Sequence, residues 1–136
     1  MKHFTLKELT RSATAERLGI RNQPAVCEVA ALERLVERVL DPLRELMGCP
    51  VVVTSGYRSP ALNRAVGGAE GSQHLRGEAA DITAGSAEAN RRMYELIRER
   101  LPFDQLIWER GSEAGPQWVH VSYREGRLRR QELRIN

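Results

Sequence analysis

The sequence predicts an α+β domain in which N-terminal helices pack on a small antiparallel sheet. Two observations support this class: helical apolar periodicity fills much of the first third of the chain, and short β-branched segments follow it. With 136 residues, we expect one domain over residues 1–136, long enough to bury a core without disulfide bonds. Hydrophobic residues make up 41%, which argues against disorder, and no apolar run is long enough to span a membrane.

Helix signals dominate the N-terminal part. Thr5 and Glu8 have the spacing of a capping box, which predicts a short helix, and a second short helix is expected to close at Gly19. The longest helix is predicted over residues 22–48, because apolar residues recur there at steps of three and four. Pro42 interrupts this pattern, so a kink is expected near it.

Strand signals dominate the rest of the chain. Four short segments have the composition of strands: 51–55, 79–83, 105–109 and 118–123. A short helix over 60–65 and a longer helix over 86–100, capped by Ser86, are predicted between them. A Gly-rich loop joins the last two strands, which predicts a hairpin.

The cysteines and the N-terminus both predict synthesis in the cytoplasm. The predicted helix fills most of the segment between Cys27 and Cys49, which places them about 30 Å apart at a rise of 1.5 Å per residue. A disulfide requires Cα atoms within about 7 Å, so we expect free thiols, typical of a reducing compartment. The first residues carry charges every few positions and no apolar segment of a secretory signal.

Charge is less informative than the motifs. The formal net charge is +3, and the surplus lies in a C-terminal run of arginines: Arg124, Arg127, Arg129, Arg130 and Arg134. Such a run can attract a polyanion, either nucleic acid or an anionic cell wall, or it can be a solvated tail. No aromatic residue is interleaved with it, so we expect no nucleic-acid partner.

Two of the three histidines lie in segments that the pattern places on or beside central strands. His74 precedes the strand that contains Asp81, and His120 lies in the last strand. Asp81 falls between apolar residues, and a buried carboxylate needs a cation or several donors. Each histidine alone could be satisfied by a backbone carbonyl, but two imidazoles with one carboxylate form the three-ligand set of a catalytic zinc site.

The segment around these residues resembles a known family. It carries the spaced pattern S-x-H-x-x-G-x-A-x-D, whose fixed positions are Ser72, His74, Gly77, Ala79 and Asp81. This is the signature of the zinc D,D-peptidases, a group that includes D-Ala-D-Ala carboxypeptidases, vancomycin-resistance dipeptidases and phage endolysins, with a Hedgehog-type fold. Residues 55–59 (SGYRS) and 118–121 (WVHV) resemble the arginine segment and the closing strand of the family.

The resemblance implies roles for individual residues. His74, Asp81 and His120 would hold Zn²⁺, Arg58 would bind a carboxylate or an oxyanion, and Ser72 would help to orient a ligand. It implies hydrolysis of peptidoglycan stem peptides by metal-activated water, in a D,D-carboxypeptidase or an endopeptidase. The chain is similar to the short phage-type members, which carry no signal peptide and act on the cell wall after phage-type release, and we expect a monomer.

The general base departs from the family pattern. Many relatives carry Glu-x-x-His at the last ligand, or a histidine two residues before it, but this chain has Gln117 and Trp118 there. We expect Glu109 to replace them, because pairing residue 109 with 118 would place Glu109 at the mouth of the site. Asp104 and Glu113 are alternatives. Without any base, the chain would be a non-catalytic zinc- or wall-binding module, or a phage structural protein, on the same fold.

Overall fold

The structure, a computed structural model that describes all 136 residues, combines six α-helices with five strands. The helices are α1 (Leu6–Thr10), α2 (Ala13–Leu18), α3 (Val26–Leu35), α4 (Asp41–Met47), α5 (Pro60–Ala65) and α6 (Ala87–Arg100), with a π-helical segment over Val36–Leu40 and a 3₁₀ turn over Gln73–Arg76. The strands are β1 (Val52–Ser55), β2 (Ala79–Thr83), β3 (Gln105–Glu109), β4 (Trp118–Ser122) and β5 (Gln131–Ile135). The predicted α+β class is confirmed. None of the helices combines the length and apolar character needed to cross a bilayer.

The predicted long helix is divided where the proline was expected to disturb it. The N–H of Asp41 bonds to the carbonyl of Val36, five residues earlier, at the end of the π-helical segment. Pro42 follows directly and has no N–H to continue the ladder of α-helical bonds. The helical turn before the proline therefore contains one extra residue, and the chain continues as α4 after it.

One face of the sheet packs on the helices, and the opposite face carries the candidate metal ligands of β2 and β4. Ile82 and Val119 are paired across β2 and β4 and belong to the hydrophobic core. The neighbouring pair, Asp81 and His120, therefore points to the other face, because successive side chains in a strand alternate. The core draws on the helices and the strands alike, including Leu32, Leu35, Val39, Leu43, Met93, Ile97, Leu106 and Val121.

The sheet contains a strand that the sequence did not predict. Its order is β1-β2-β4-β3-β5; the first four strands pair antiparallel, and β5 pairs parallel with β3. The sequence prediction treated this region only as a basic tail. All five residues of β5 are exposed, so no buried apolar pattern marks them, and only pairing with β3 makes them a strand.

The arginines before and within β5 contact the rest of the protein. Arg129 forms an ion pair with Asp104, at 2.8 Å, and the guanidinium of Arg130 lies 4.3 Å from the ring centroid of Phe103. Arg134 lies 4.6 Å from the centroid of an indole ring on β3. The description of this whole segment as a solvated tail is therefore wrong, because these three side chains attach it to the sheet.

Acid should loosen β5 before the other strands. Burial would raise the pKa of Asp104, but hydrogen bonds from Arg129 outweigh it and lower that pKa below its usual value. A carboxyl group with a lowered folded-state pKa contributes stability that is complete above its ordinary pKa, about 3.9, and is lost as the pH falls further. We expect the amide protons of β5 to lose protection relative to those of β4 as the pH falls below about 4.

Hydrogen–deuterium exchange, corrected for intrinsic rates, measures this difference. The Asp104→Asn variant should already show the weaker protection of β5 at neutral pH and little further change in acid. Parallel loss of protection in β4 and β5 would show that the ion pair does not control the strand.

Asn90 joins the end of β2 to the loop that leads into β4. Its Oδ1 accepts hydrogen bonds from the Ala84 N–H, at 2.6 Å, and the Thr83 hydroxyl, at 3.2 Å. Its Nδ2 donates to the carbonyl oxygens of Pro116, at 3.1 Å, and Gln117, at 3.0 Å. Because Asn90 is only 2% exposed, water cannot replace these partners.

The Asn90→Ala variant should be clearly less stable. It would leave buried backbone groups without partners, and we expect the free energy of unfolding to fall by about 2–4 kcal/mol in urea titration. Glu88→Ala, on the exposed side of the same helix, serves as the control and should change it little. Equal midpoints for the two variants would contradict this role of Asn90.

Candidate metal centre

The 3₁₀ turn presents His74 and directs the chain into β2. Ser72 Oγ accepts the His74 N–H at 3.2 Å and caps the start of the turn. Gly77 ends the turn with φ at 72°, in the left-handed region that favours glycine, and a Cβ there would lie 2.5 Å from the Glu28 carbonyl oxygen. The Ser72 side chain thus positions His74 by accepting its backbone N–H, and Gly77 lets the chain turn back toward Asp81.

Two histidines converge on one carboxylate. Asp81 and His120 are direct partners in the pairing of β2 with β4, and His120 Nδ1 lies 3.1 Å from Asp81 Oδ1. His74 Nε2 lies 3.5 Å from the same oxygen. His74 Nδ1 donates to the Gly56 carbonyl at 2.7 Å, so its proton is on Nδ1 and Nε2 has a free lone pair. The structure therefore brings together the three residues that the sequence suggested as ligands.

The three donor groups fit a zinc ion. Zinc binds histidine nitrogen and carboxylate oxygen at about 2.0–2.2 Å, so neighbouring ligand atoms of a tetrahedral site lie about 3.3–3.6 Å apart. The distances of 3.1 and 3.5 Å to Asp81 are close to this range, and the ligand atoms of all three residues lie within 4.8 Å of one another. His120 Nε2 is buried and makes no hydrogen bond. Polar contacts at Nδ1, with Asp81 or with a bound ion, are therefore the ones that can orient this ring.

The protonation states also suit a metal. Burial lowers the pKa of His74, which favours the neutral imidazole that coordinates metals. Burial would raise the pKa of Asp81, but the close contacts of its carboxylate with His120 and His74 outweigh it and hold that pKa well below the usual range. The centre thus offers the neutral nitrogen of His74 and the charged oxygen of Asp81 as ligands.

Arg58 is held beside the centre by three groups. Its Nη2 lies 3.6 Å from Asp81 Oδ2, its Nε donates to Ser55 Oγ at 3.2 Å, and its Nη1 donates to Asn63 Oδ1 at 3.2 Å. A Cβ at Gly68 would collide with Asn63 Oδ1, so glycine is needed for this arrangement. Sequence reasoning selected Arg58 but missed Asn63, which lies on α5 and carries no motif that marks its contact with the guanidinium.

The centre opens into a groove of about 470 Å³. Arg58, the three candidate ligands and Glu109 all line it. Glu109 pairs with Trp118 and Ile107 pairs with His120, so the predicted register of the hairpin is confirmed. Glu109 is half-buried; burial and the nearby charge of Asp81 raise its pKa above the usual value.

Comparison with known proteins agrees with this site. The sequence profile of the family described as peptidase M15 matches residues 2–122. The chain belongs to the peptidase M15 family. Over 85 residues it is 38% identical to the zinc D-Ala-D-Ala carboxypeptidase of Streptomyces albus G, a match covering 62% of this chain and 32% of that protein. The chain thus spans about a third of the length of that relative. The resemblance to zinc D,D-peptidases, predicted from the spaced motif, is confirmed.

The other candidates for a base in this M15 chain lie in different surroundings. Asp104 is completely buried and forms an ion pair with Arg129, so its oxygens are not available to substrate. Glu113 is 92% exposed at its side chain and lies outside the groove. Gln117, at the position of the Glu-x-x-His glutamate, also lies outside it. Of the acidic residues proposed as the base, Glu109 alone lines the groove of the metal centre.

Proposed function

We propose that the chain is a zinc peptidase that hydrolyses peptidoglycan stem peptides, as a D,D-carboxypeptidase or as an endopeptidase. The observation that carries the proposal is the shared groove: a three-ligand centre, a fixed guanidinium and a half-buried glutamate line the same cavity. Membership of the peptidase M15 family supports peptide hydrolysis. The partial match to a zinc D-Ala-D-Ala carboxypeptidase supports the metal and the substrate class.

Each residue has a defined task in this proposal. His74, Asp81 and His120 hold zinc, which when bound supplies a Lewis acid that polarises the peptide carbonyl and activates water. Arg58 binds the terminal carboxylate of the peptide in a carboxypeptidase, or the developing oxyanion in an endopeptidase. Glu109 accepts a proton from the attacking water at its carboxylate and donates it to the leaving amine.

A second candidate is a wall-binding or phage structural module without turnover. Gln117 in place of the glutamate of Glu-x-x-His favours it, because an amide cannot accept the proton. Glu109 in the groove favours the enzyme, because its carboxylate supplies the function that Gln117 lacks. Delivery to the cell wall by phage-type release stays a prediction from the resemblance.

Metal content and digestion of muropeptides distinguish these functions. We expect about one zinc per chain after gel filtration, measured by plasma mass spectrometry. The loaded protein should release D-alanine from pentapeptide muropeptides if it is a carboxypeptidase, or cut cross-linked muropeptides if it is an endopeptidase. Bound zinc without either product would favour the non-catalytic module, and failure to bind zinc would contradict the metal site.

A further inference from the structure

The groove of the metal centre has a second arginine at its far end. Arg58 follows β1 at one edge of the sheet, and Arg129 precedes β5 at the other edge. The candidate ligands Asp81 and His120 lie on β2 and β4, the two strands that follow β1 in the order of the sheet. A substrate that crosses the metal centre along the groove can therefore contact a guanidinium on each side.

Arg129 is fixed in place and retains a free donor. Its Nε and Nη2 donate to the two oxygens of Asp104, at 2.8 and 3.0 Å, and its backbone N–H donates to the same carboxylate at 3.0 Å. Asp104 is fully buried, whereas the Arg129 side chain is 40% exposed. The Nη1 group of Arg129 makes no hydrogen bond within the protein, so it can donate to a ligand in the groove.

An acceptor without a donor lies beside this arginine. Gln73 Nε2 donates to Asp104 Oδ2 at 3.0 Å and to Glu78 Oε1 at 3.3 Å, which fixes the orientation of the amide. Gln73 Oε1 is buried and has no partner, although the residue lines the groove. This end of the groove thus offers a donor for an anion, next to an amide side chain that Asp104 and Glu78 hold in place.

We propose that Arg129 is a specificity-determining residue that binds a second carboxylate of the peptide substrate, on the opposite side of the metal centre from Arg58. Four strand spacings of about 4.8 Å separate the two edges, so the two carboxylates lie within about 19 Å, or up to roughly five extended residues. The inference rests on the proposed peptidase function. Arg129 lies beyond residues 2–122, so the family match does not include it.

Matched peptides test the preference. Each peptide ends in D-Ala-D-Ala and carries one D-glutamate at successive upstream positions, and its counterpart carries D-glutamine there. At one or more positions the zinc-loaded wild type should prefer the carboxylate in kcat/KM by about tenfold, the effect of one charge-assisted hydrogen bond at a half-exposed site. Arg129→Gln should reduce this ratio to about one, and Arg129→Lys should keep part of it because the charge remains.

The ratio separates recognition from folding, because a merely structural defect lowers the rates for both peptides equally. Arg127→Gln is the control, since Arg127 is exposed in the same segment and does not line the groove; it should keep the preference. A wild type indifferent to the carboxylate at every position, or an Arg129→Gln variant that keeps the preference, would overturn the inference. If neither peptide is cleaved, the carboxypeptidase form of the proposed function fails, and the ratio of dissociation constants from calorimetry still decides whether Arg129 recognises the carboxylate.

Discussion

His120→Ala should abolish tight zinc binding. The substitution leaves only His74 and Asp81 as ligands, and it removes the imidazole that lies 3.1 Å from the Asp81 carboxylate. Loss of an outer partner of a metal ligand already costs about 10–100-fold in affinity, so loss of the ligand itself should cost more than about 100-fold. Competition with a chromophoric chelator measures this constant, and His74→Ala should behave in the same way.

The third histidine provides the control. His3 is remote from the groove and forms its contact with Glu45, at 3.5 Å, so His3→Ala should retain about one zinc per chain. A His120→Ala protein that still carried one tightly bound zinc would show that the three residues are not the ligand set.

Thermal unfolding gives a second measure of the same site. A metal that binds only the folded protein stabilises it by mass action, so chelation should lower the Tm of the wild type. The Tm of His120→Ala should not respond to the chelator. This readout is independent of turnover, so it tests the ligands even if the chain is not an enzyme.

Glu109→Gln should retain zinc but lower kcat by about 100-fold or more. The amide has nearly the same shape as the carboxylate but cannot accept the proton of the attacking water. Because Glu109 is not one of the three candidate ligands, the zinc content should stay near that of the wild type. Stopped or continuous assays of peptide cleavage, on protein of measured zinc content, give the comparison.

Glu113→Gln is the matched control for this substitution. It makes the same chemical change at a neighbouring glutamate that is exposed and outside the groove, and kcat should be unaffected. Gln117→Glu should not restore activity to Glu109→Gln, because position 117 does not line the groove. Undiminished turnover by Glu109→Gln would assign the proton transfer to another group.

Local signals predicted most of the helices and strands. The capping box of Thr5 and Glu8 forms as expected, Ser86 caps α6, and Gly19 closes α2 in the left-handed conformation. These interactions connect residues that are three or four positions apart, so they are visible in the sequence itself. The predicted start of the long helix was early, because the helix begins at Val26 rather than Asn22.

Most of the candidate site could also be predicted from the sequence. The motif from Ser72 to Asp81 combines a turn, a glycine and a buried strand within ten residues. Two of the three candidate ligands can therefore be identified from neighbouring positions in the sequence. Alternation along the hairpin then places Glu109 and His120 on one face once its register is known. The sequence by itself therefore determined the fold class, the ligand candidates and the glutamate that faces them.

Only the tertiary structure decided what happens at the edges of this site. β5 has no buried face, so its pairing with β3 leaves no periodic pattern in the sequence. Asp104 meets Arg129 across 25 positions of the chain, and nothing local indicates either partner. Asn63 likewise contacts Arg58 only because α5 packs beside the centre. These contacts depend on how strands and helices pack across long separations, and a polar residue with a distant partner cannot be distinguished from a solvated one by its neighbours in sequence.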